Sequence, residues 1–133
     1  MTQPQLAAIN LTGIWQGFFS YPNEDPTVPF GATLIDTSSG FTGATNEICT
    51  RGPDRGAVLF GIIEGRRQGR DIHFIKSYEG KAHCRIQYRG LSNSDGSIIE
   101  GIWTIRPDWS GKFVMVRSRR MPARQQVPFA RAG

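Results

Sequence analysis

The feature that most limits how this chain can fold is a rhythm. Short runs of β-branched and aromatic residues are broken, every ten residues or so, by Gly, Pro, Asn or Asp. The runs are read at Leu11–Tyr21, Phe30–Asp36, Phe41–Thr50, Ala57–Gly65, Asp71–Tyr78, His83–Leu91, Ile98–Ile105 and Lys112–Ser118. Their breakers include Pro22-Asn23-Glu24-Asp25-Pro26, which cannot pair in a ladder, and Asn93-Ser94-Asp95-Gly96, a strong hairpin signal. No stretch sustains a helical period. Antiparallel strands joined this closely either close into a barrel or stack as a sandwich, and a sandwich needs crossovers longer than any connection here. The expectation is an all-β chain forming an eight-stranded antiparallel up-and-down β-barrel over residues 11–118. Residues 1–10 read as a lead-in and 119–133 as a basic, flexible tail.

Charge has to be located before it is interpreted. The net charge is +5, yet residues 1–111 carry 10 Lys/Arg against 11 Asp/Glu, while residues 112–133 carry 6 Lys/Arg and no acid. The positive excess belongs to one end of the chain, so no nucleic-acid partner is expected. No window approaches the ~18 apolar residues of a membrane span. Met1–Ala8 lacks the basic and apolar regions of a signal peptide. A cytoplasmic protein without a membrane partner is the expectation. Cys49 and Cys84 then read as free thiols, with no C-x-x-C spacing. His73 and His83 share no ligand constellation with carboxylates, so neither metal nor cofactor is expected, and no nucleophile elbow appears.

Alternation sorts side chains into faces once one is placed. With Trp15 pointing inward, Gly13, Gly17, Phe19 and Tyr21 follow it. The matching phase places Thr45, Glu47, Cys49, Ile72, Phe74, Lys76, Tyr78, Cys84, Ile86 and Tyr88 in the lumen. It adds Ile99, Gly101, Trp103, Ile105, Phe113, Met115 and Arg117. Strand direction brings Arg117 to Trp15 at one end, a guanidinium stacked on an indole. The connections at Pro22–Pro29, Arg51–Gly56, Glu79–Ala82 and Arg106–Gly111 share the other end, which reads as an open mouth.

Near that mouth the phase gathers Tyr21, Glu47, Lys76 and Tyr78, with Cys49 and Cys84 nearby. A carboxylate and an ammonium inside a narrow barrel are costly to desolvate unless paired. They are either a structural ion pair or a polar anchor for a ligand whose apolar part rests on Phe19, Phe74, Trp103 and Met115. The candidate ligand-binding set is Tyr21, Glu47, Phe74, Lys76, Tyr78, Cys84, Tyr88, Trp103 and Trp109. Two alternatives stay open: an isomerase- or cyclase-type enzyme using Lys76, Glu47 or a tyrosine as acid or base, and a ligand-free interaction scaffold. The opposite faces of the same strands expose Val58, Phe60, Ile62, Ile98, Ile102, Thr104, Val114 and Val116. That apolar exterior leads us to expect a homodimer or homotetramer through strands 4, 7 and 8.

The segments LTGIW at Leu11–Trp15, FTG at Phe41–Gly43, His83 with Tyr88-Arg89-Gly90, IEGIWTI at Ile99–Ile105, and Trp109 follow one another in a familiar order. In this the chain resembles avidin and streptavidin, within the wider lipocalin-like (calycin) group. The resemblance implies an eight-stranded barrel, lumen-facing tryptophans and frequent oligomers. It does not carry biotin with it. The family's ureido-gripping Asn and Ser after the first-strand Trp fall on Gly17 and Tyr21. Its third-strand Tyr and Ser fall on Thr45 and Glu47, its sixth-strand Ser and Thr on Cys84 and Ile86, and its last-strand Asp on Arg117. The function expected is lumenal binding of an amphipathic or hydrophobic small molecule other than biotin.

Overall fold

The computed structural model describes residues 9–23, 26–80 and 84–118, and these form one closed, antiparallel barrel. Its strands are β1 (Gly13–Phe19), β2 (Val28–Asp36), β3 (Gly40–Ile48), β4 (Val58–Gln68), β5 (Asp71–Tyr78), β6 (Arg85–Ser92), β7 (Ile98–Arg106) and β8 (Trp109–Arg117). Each strand pairs with its chain neighbours, and β1 closes on β8 with Trp15 opposite Arg117. The up-and-down barrel expected from the turn rhythm is the fold. Among the described residues no helix is long and apolar enough to cross a membrane. His83, the basic tail and most of the lead-in lie outside the described residues.

Three connections differ from expectation. Trp109 is not in a mouth loop: Pro107 and Asp108 alone form the turn, Arg106 pairs with Trp109, and β8 begins there. Proline suits a tight turn because its φ is already fixed, so Pro107 shortens this connection rather than extending it. β4 continues past Gly65 to Gln68, and Val28 and Pro29 already belong to β2. A register shift between Thr104 and Arg106 turns Ile105 to the rim, where it is 43% exposed instead of facing squarely inward.

The lower lumen is solid. Phe74 stacks on Tyr88 with centroids 4.6 Å apart, and Phe113 and Phe41 meet this pair edge-on. Glycines on neighbouring strands make the room: a Cβ at Gly17 would collide with the Phe30 ring, and one at Gly65 with Phe41 and Phe74. Below this plug the indole of Trp15 donates to the Leu11 carbonyl at 2.9 Å. The Arg117 guanidinium lies 5.0 Å from its ring and donates to the Asn10 carbonyl. Arg67 adds a bidentate pair to Asp36, at 2.7 and 2.8 Å, and the Leu11 amide donates to the same carboxylate. This end is closed.

Outside, Val58, Phe60 and Ile62 on β4 are each about half exposed, at 50%, 54% and 49%. Ile14 and Phe18 on β1, Val116 on β8 and Ile102 on β7 are exposed as well. With eight strands in cyclic order, β4 stands diametrically opposite β8. The exposed apolar residues of β4 therefore stand on the opposite side of the barrel from those of β1, β7 and β8, and Ile35 on β2, Ile48 on β3 and Leu91 on β6 are exposed as well.

Candidate functional site

Above the plug the barrel opens. A cavity of about 310 Å³ is lined by Phe19, Tyr21, Glu47, Cys49, Thr50, Arg51, Leu59, Tyr78, Cys84, Ile86, Tyr88, Trp103 and Ile105. Its walls come from the inward phase of β1, β3, β4, β5, β6 and β7 near their mouth ends, which is why aromatic and carboxylate side chains converge there. Most of the lining is apolar.

The polar group at the inner end is assembled across a missing side chain. Glu47 on β3 and Lys76 on β5 are separated by β4, where Gly61 sits opposite both Thr45 and Tyr78 in the ladder. A Cβ on Gly61 would lie 2.5 Å from Thr45 Oγ1 and 3.5 Å from Lys76 Cγ, so glycine leaves the gap through which the two strands' side chains meet. Lys76 Nζ donates to Glu47 Oε1 at 3.0 Å, and the Tyr78 hydroxyl lies 3.0 Å from both carboxylate oxygens. Thr45 Oγ1 is buried beside this group with no hydrogen-bond partner among the described residues.

The pair is asymmetric towards the cavity. Lys76 is completely buried, its ammonium 4.6 to 5.3 Å from the centroids of Phe19, Phe30, Tyr78 and Tyr88. Glu47, by contrast, is one of the residues lining the cavity. Burial pulls the Lys76 pKa down from its ordinary value, and the Glu47 charge and hydrogen bond oppose that fall. Burial, reinforced by the Glu47 charge, pushes the Tyr78 phenol well above its usual range, so it stays protonated and remains a donor. Tyr88 is raised chiefly by burial too. At the rim the Arg51 guanidinium lies 3.9 Å above the Tyr21 ring. Burial raises the Tyr21 phenol while Arg51 works the other way.

Of the residues expected at a site, Tyr21, Glu47, Tyr78, Cys84, Tyr88 and Trp103 all line the cavity. Lys76 lies directly behind Glu47. Phase and strand direction brought these together. Phe74 does not reach the cavity; it stacks under Tyr88 as part of the plug, as fully buried Met115 also belongs to the core. Trp109 packs on Tyr21 and Trp103 at centroid distances of 6.2 and 6.4 Å and so buttresses the wall from the rim. Trp103 spends its indole N–H on the Ser20 carbonyl, at 2.9 Å. Sequence reasoning missed Thr50, Arg51 and Leu59. Leu59 carried a signal, since it alternates with outward Val58 and Phe60, whereas Thr50 and Arg51 follow the strand end, where alternation no longer applies.

No family model matches this chain, and no curated protein or solved structure matches it either. The site must speak for itself. Among the described residues Cys49 and Cys84 are free thiols, and no group of His, Cys, Asp and Glu side chains could hold a metal ion. The chemistry on offer is one apolar, aromatic-walled chamber ending on a hydrogen-bonded carboxylate.

Proposed function

We propose that this protein is a small-molecule-binding barrel that holds an amphipathic or hydrophobic ligand in the upper lumen. The observation that carries this reading is the cavity of about 310 Å³, apolar along its walls and polar at its inner end. Ligand pockets have volumes of roughly 300–1,000 Å³ and this arrangement of many apolar and few polar groups. The position of Lys76 favours binding over acid–base catalysis: its amine is sealed behind Glu47 and four aromatic rings, away from any reacting atom in the chamber. An avidin-like relationship is compatible with this proposal, but biotin is not, given Gly17, Glu47, Ile86 and Arg117 at the family's gripping positions.

The test is titration with the neutral apolar dye Nile red, read by its fluorescence and by Trp103 quenching. Saturable binding at one dye per chain is expected, lost in Ile86→Trp, which fills the chamber with an indole. Native mass spectrometry of protein from its own host supplies a second measurement through a copurified ligand. No dye binding and no copurified ligand would sink the proposal.

We also infer self-assembly through two opposed sides of the barrel, that of Val58, Phe60 and Ile62 on β4 and that of Ile102 on β7 and Val116 on β8. A closed dimer can cover only one of them, so the pair of faces favours a homotetramer built from two kinds of contact. Sedimentation as a monomer at micromolar concentration contradicts it.

A further inference from the structure

We propose that the chamber selects ligands by the sign of their polar end: it accepts an apolar molecule ending in a hydroxyl or amine and discriminates against the matching carboxylic acid. This rests on the binding reading above and names the class of ligand for that same site.

The cavity meets one member of the ion pair and not the other. Glu47 is in the wall; Lys76 is completely buried behind it. A ligand that passes Arg51 at the rim and reaches the inner end therefore meets Glu47 there, with the Lys76 ammonium behind it. A carboxylate has about four acceptor positions over its two oxygens. Among the described residues two side chains supply donors: the ammonium of Lys76 to Oε1, and the hydroxyl of Tyr78, which has one hydrogen to share between Oε1 and Oε2. Acceptor capacity remains, and an O–H or N–H on the ligand can use it.

The other polar groups nearby reinforce this choice. The Tyr78 hydroxyl is committed to Glu47, and the Trp103 indole N–H to the Ser20 carbonyl. Those two donors are spent before an anionic ligand arrives, and the cation lining the chamber, Arg51, sits at the rim over the Tyr21 ring, away from the inner end. The rings of Phe19 and Tyr88, both in the chamber wall, already carry the Lys76 ammonium over them, at 5.0 and 5.3 Å from their centroids, a setting that suits a cation better than an anion. A ligand carboxylate would be desolvated beside Glu47, with like charges facing each other and the compensating ammonium one layer too deep. The protein's net charge of +5 points the opposite way, toward anions, so global charge and local site make opposing predictions.

The experiment is isothermal titration at pH 7 of the intact protein with three ligands on one skeleton: 2-naphthylmethanol, 2-naphthylmethylamine and 2-naphthoate. The alcohol and the amine are expected to bind at least tenfold more tightly than the acid. In Glu47→Gln the acid should gain on the other two, because the facing negative charge is gone. The wild-type ranking decides the matter even if that variant folds poorly. An acid that binds as tightly as the alcohol overturns the selectivity while leaving lumenal binding intact. Failure of all three to bind overturns the binding reading, and the selectivity with it.

Discussion

The two ends of this barrel each hold a carboxylate against a cation, and the two pairs are built for different ends. At the floor, Asp36 receives both arms of Arg67 and the backbone amides of Leu11 and Ser38. At the mouth, Glu47 receives Lys76 and Tyr78 among the described residues and lines a chamber. The floor acid is saturated by protein donors, so nothing further can address it. The mouth acid keeps acceptor capacity where a small molecule can arrive. Pairing alone does not separate a structural ion pair from a site; what separates them is whether the carboxylate's remaining lone pairs are used up.

The contrast is most easily broken at the mouth. Lys76→Met leaves Glu47 half-compensated in an apolar wall, and removing one partner of a buried pair costs about 3–5 kcal/mol. The Glu47→Gln/Lys76→Met double variant should recover most of that in chemical denaturation. Equal losses in the single and double variants would mean that the pair is not coupled.

Acid probes the floor next. Asp36 is held below its ordinary 3.8 at about 2, first by the hydrogen bond from Arg67 and then by the amides, with burial opposing. A carboxyl whose folded pKa is depressed binds fewer protons when folded than when unfolded. Its contribution to stability is therefore complete above about pH 4 and fades as the pH falls towards 2. In Asp36→Asn this part of the acid-induced loss should vanish from the pH dependence of the melting temperature. An unaltered profile would remove Asp36 from the acid response.

Arg117→Ala should cost about 1–2 kcal/mol, through the lost indole contact and the Asn10 carbonyl left without its guanidinium donor. Nile red affinity should hold, because Arg117 lies at the floor, across the plug from the chamber. A melting temperature equal to wild type would contradict the floor's structural role. The smallest effect belongs to the exterior: Phe60→Lys should change folding stability by no more than about 0.5 kcal/mol while reducing the sedimenting mass. An unchanged mass would release β4 from the proposed assembly.

Much of this was legible in the chain because a period of two is unforgiving. Placing Trp15 inside fixed Phe19 on β1 and Tyr21 just past its end, and the same alternation carried Glu47, Lys76, Tyr78, Cys84, Tyr88 and Trp103 to one lumen. Depth was less legible than direction. Phe74 and Tyr88 share an inward phase, but which of them touches the chamber depends on where the plug ends, and that is set by Gly17 and Gly65 receiving rings from neighbouring strands. The Asp36–Arg67 latch was not anticipated. Its members are 31 residues apart, and Arg67 looked like part of a turn until β4 ran on to Gln68. Trp109 was misplaced because Pro107 reads as a breaker, whereas here it makes the tightest connection at the mouth.

The division of the lumen into a solid lower half and a hollow upper half also has a volumetric meaning. Hydrostatic pressure destabilises a folded protein in proportion to the void that unfolding removes. In this barrel that void is concentrated at one end, so compression should act unevenly along the axis. Amides of β3, β5 and β6 near Glu47, Tyr78 and Cys84 should lose hydrogen-exchange protection under pressure before those beside Trp15 and Arg117. A molecule seated in the chamber would replace the void with matter and make the two ends respond alike.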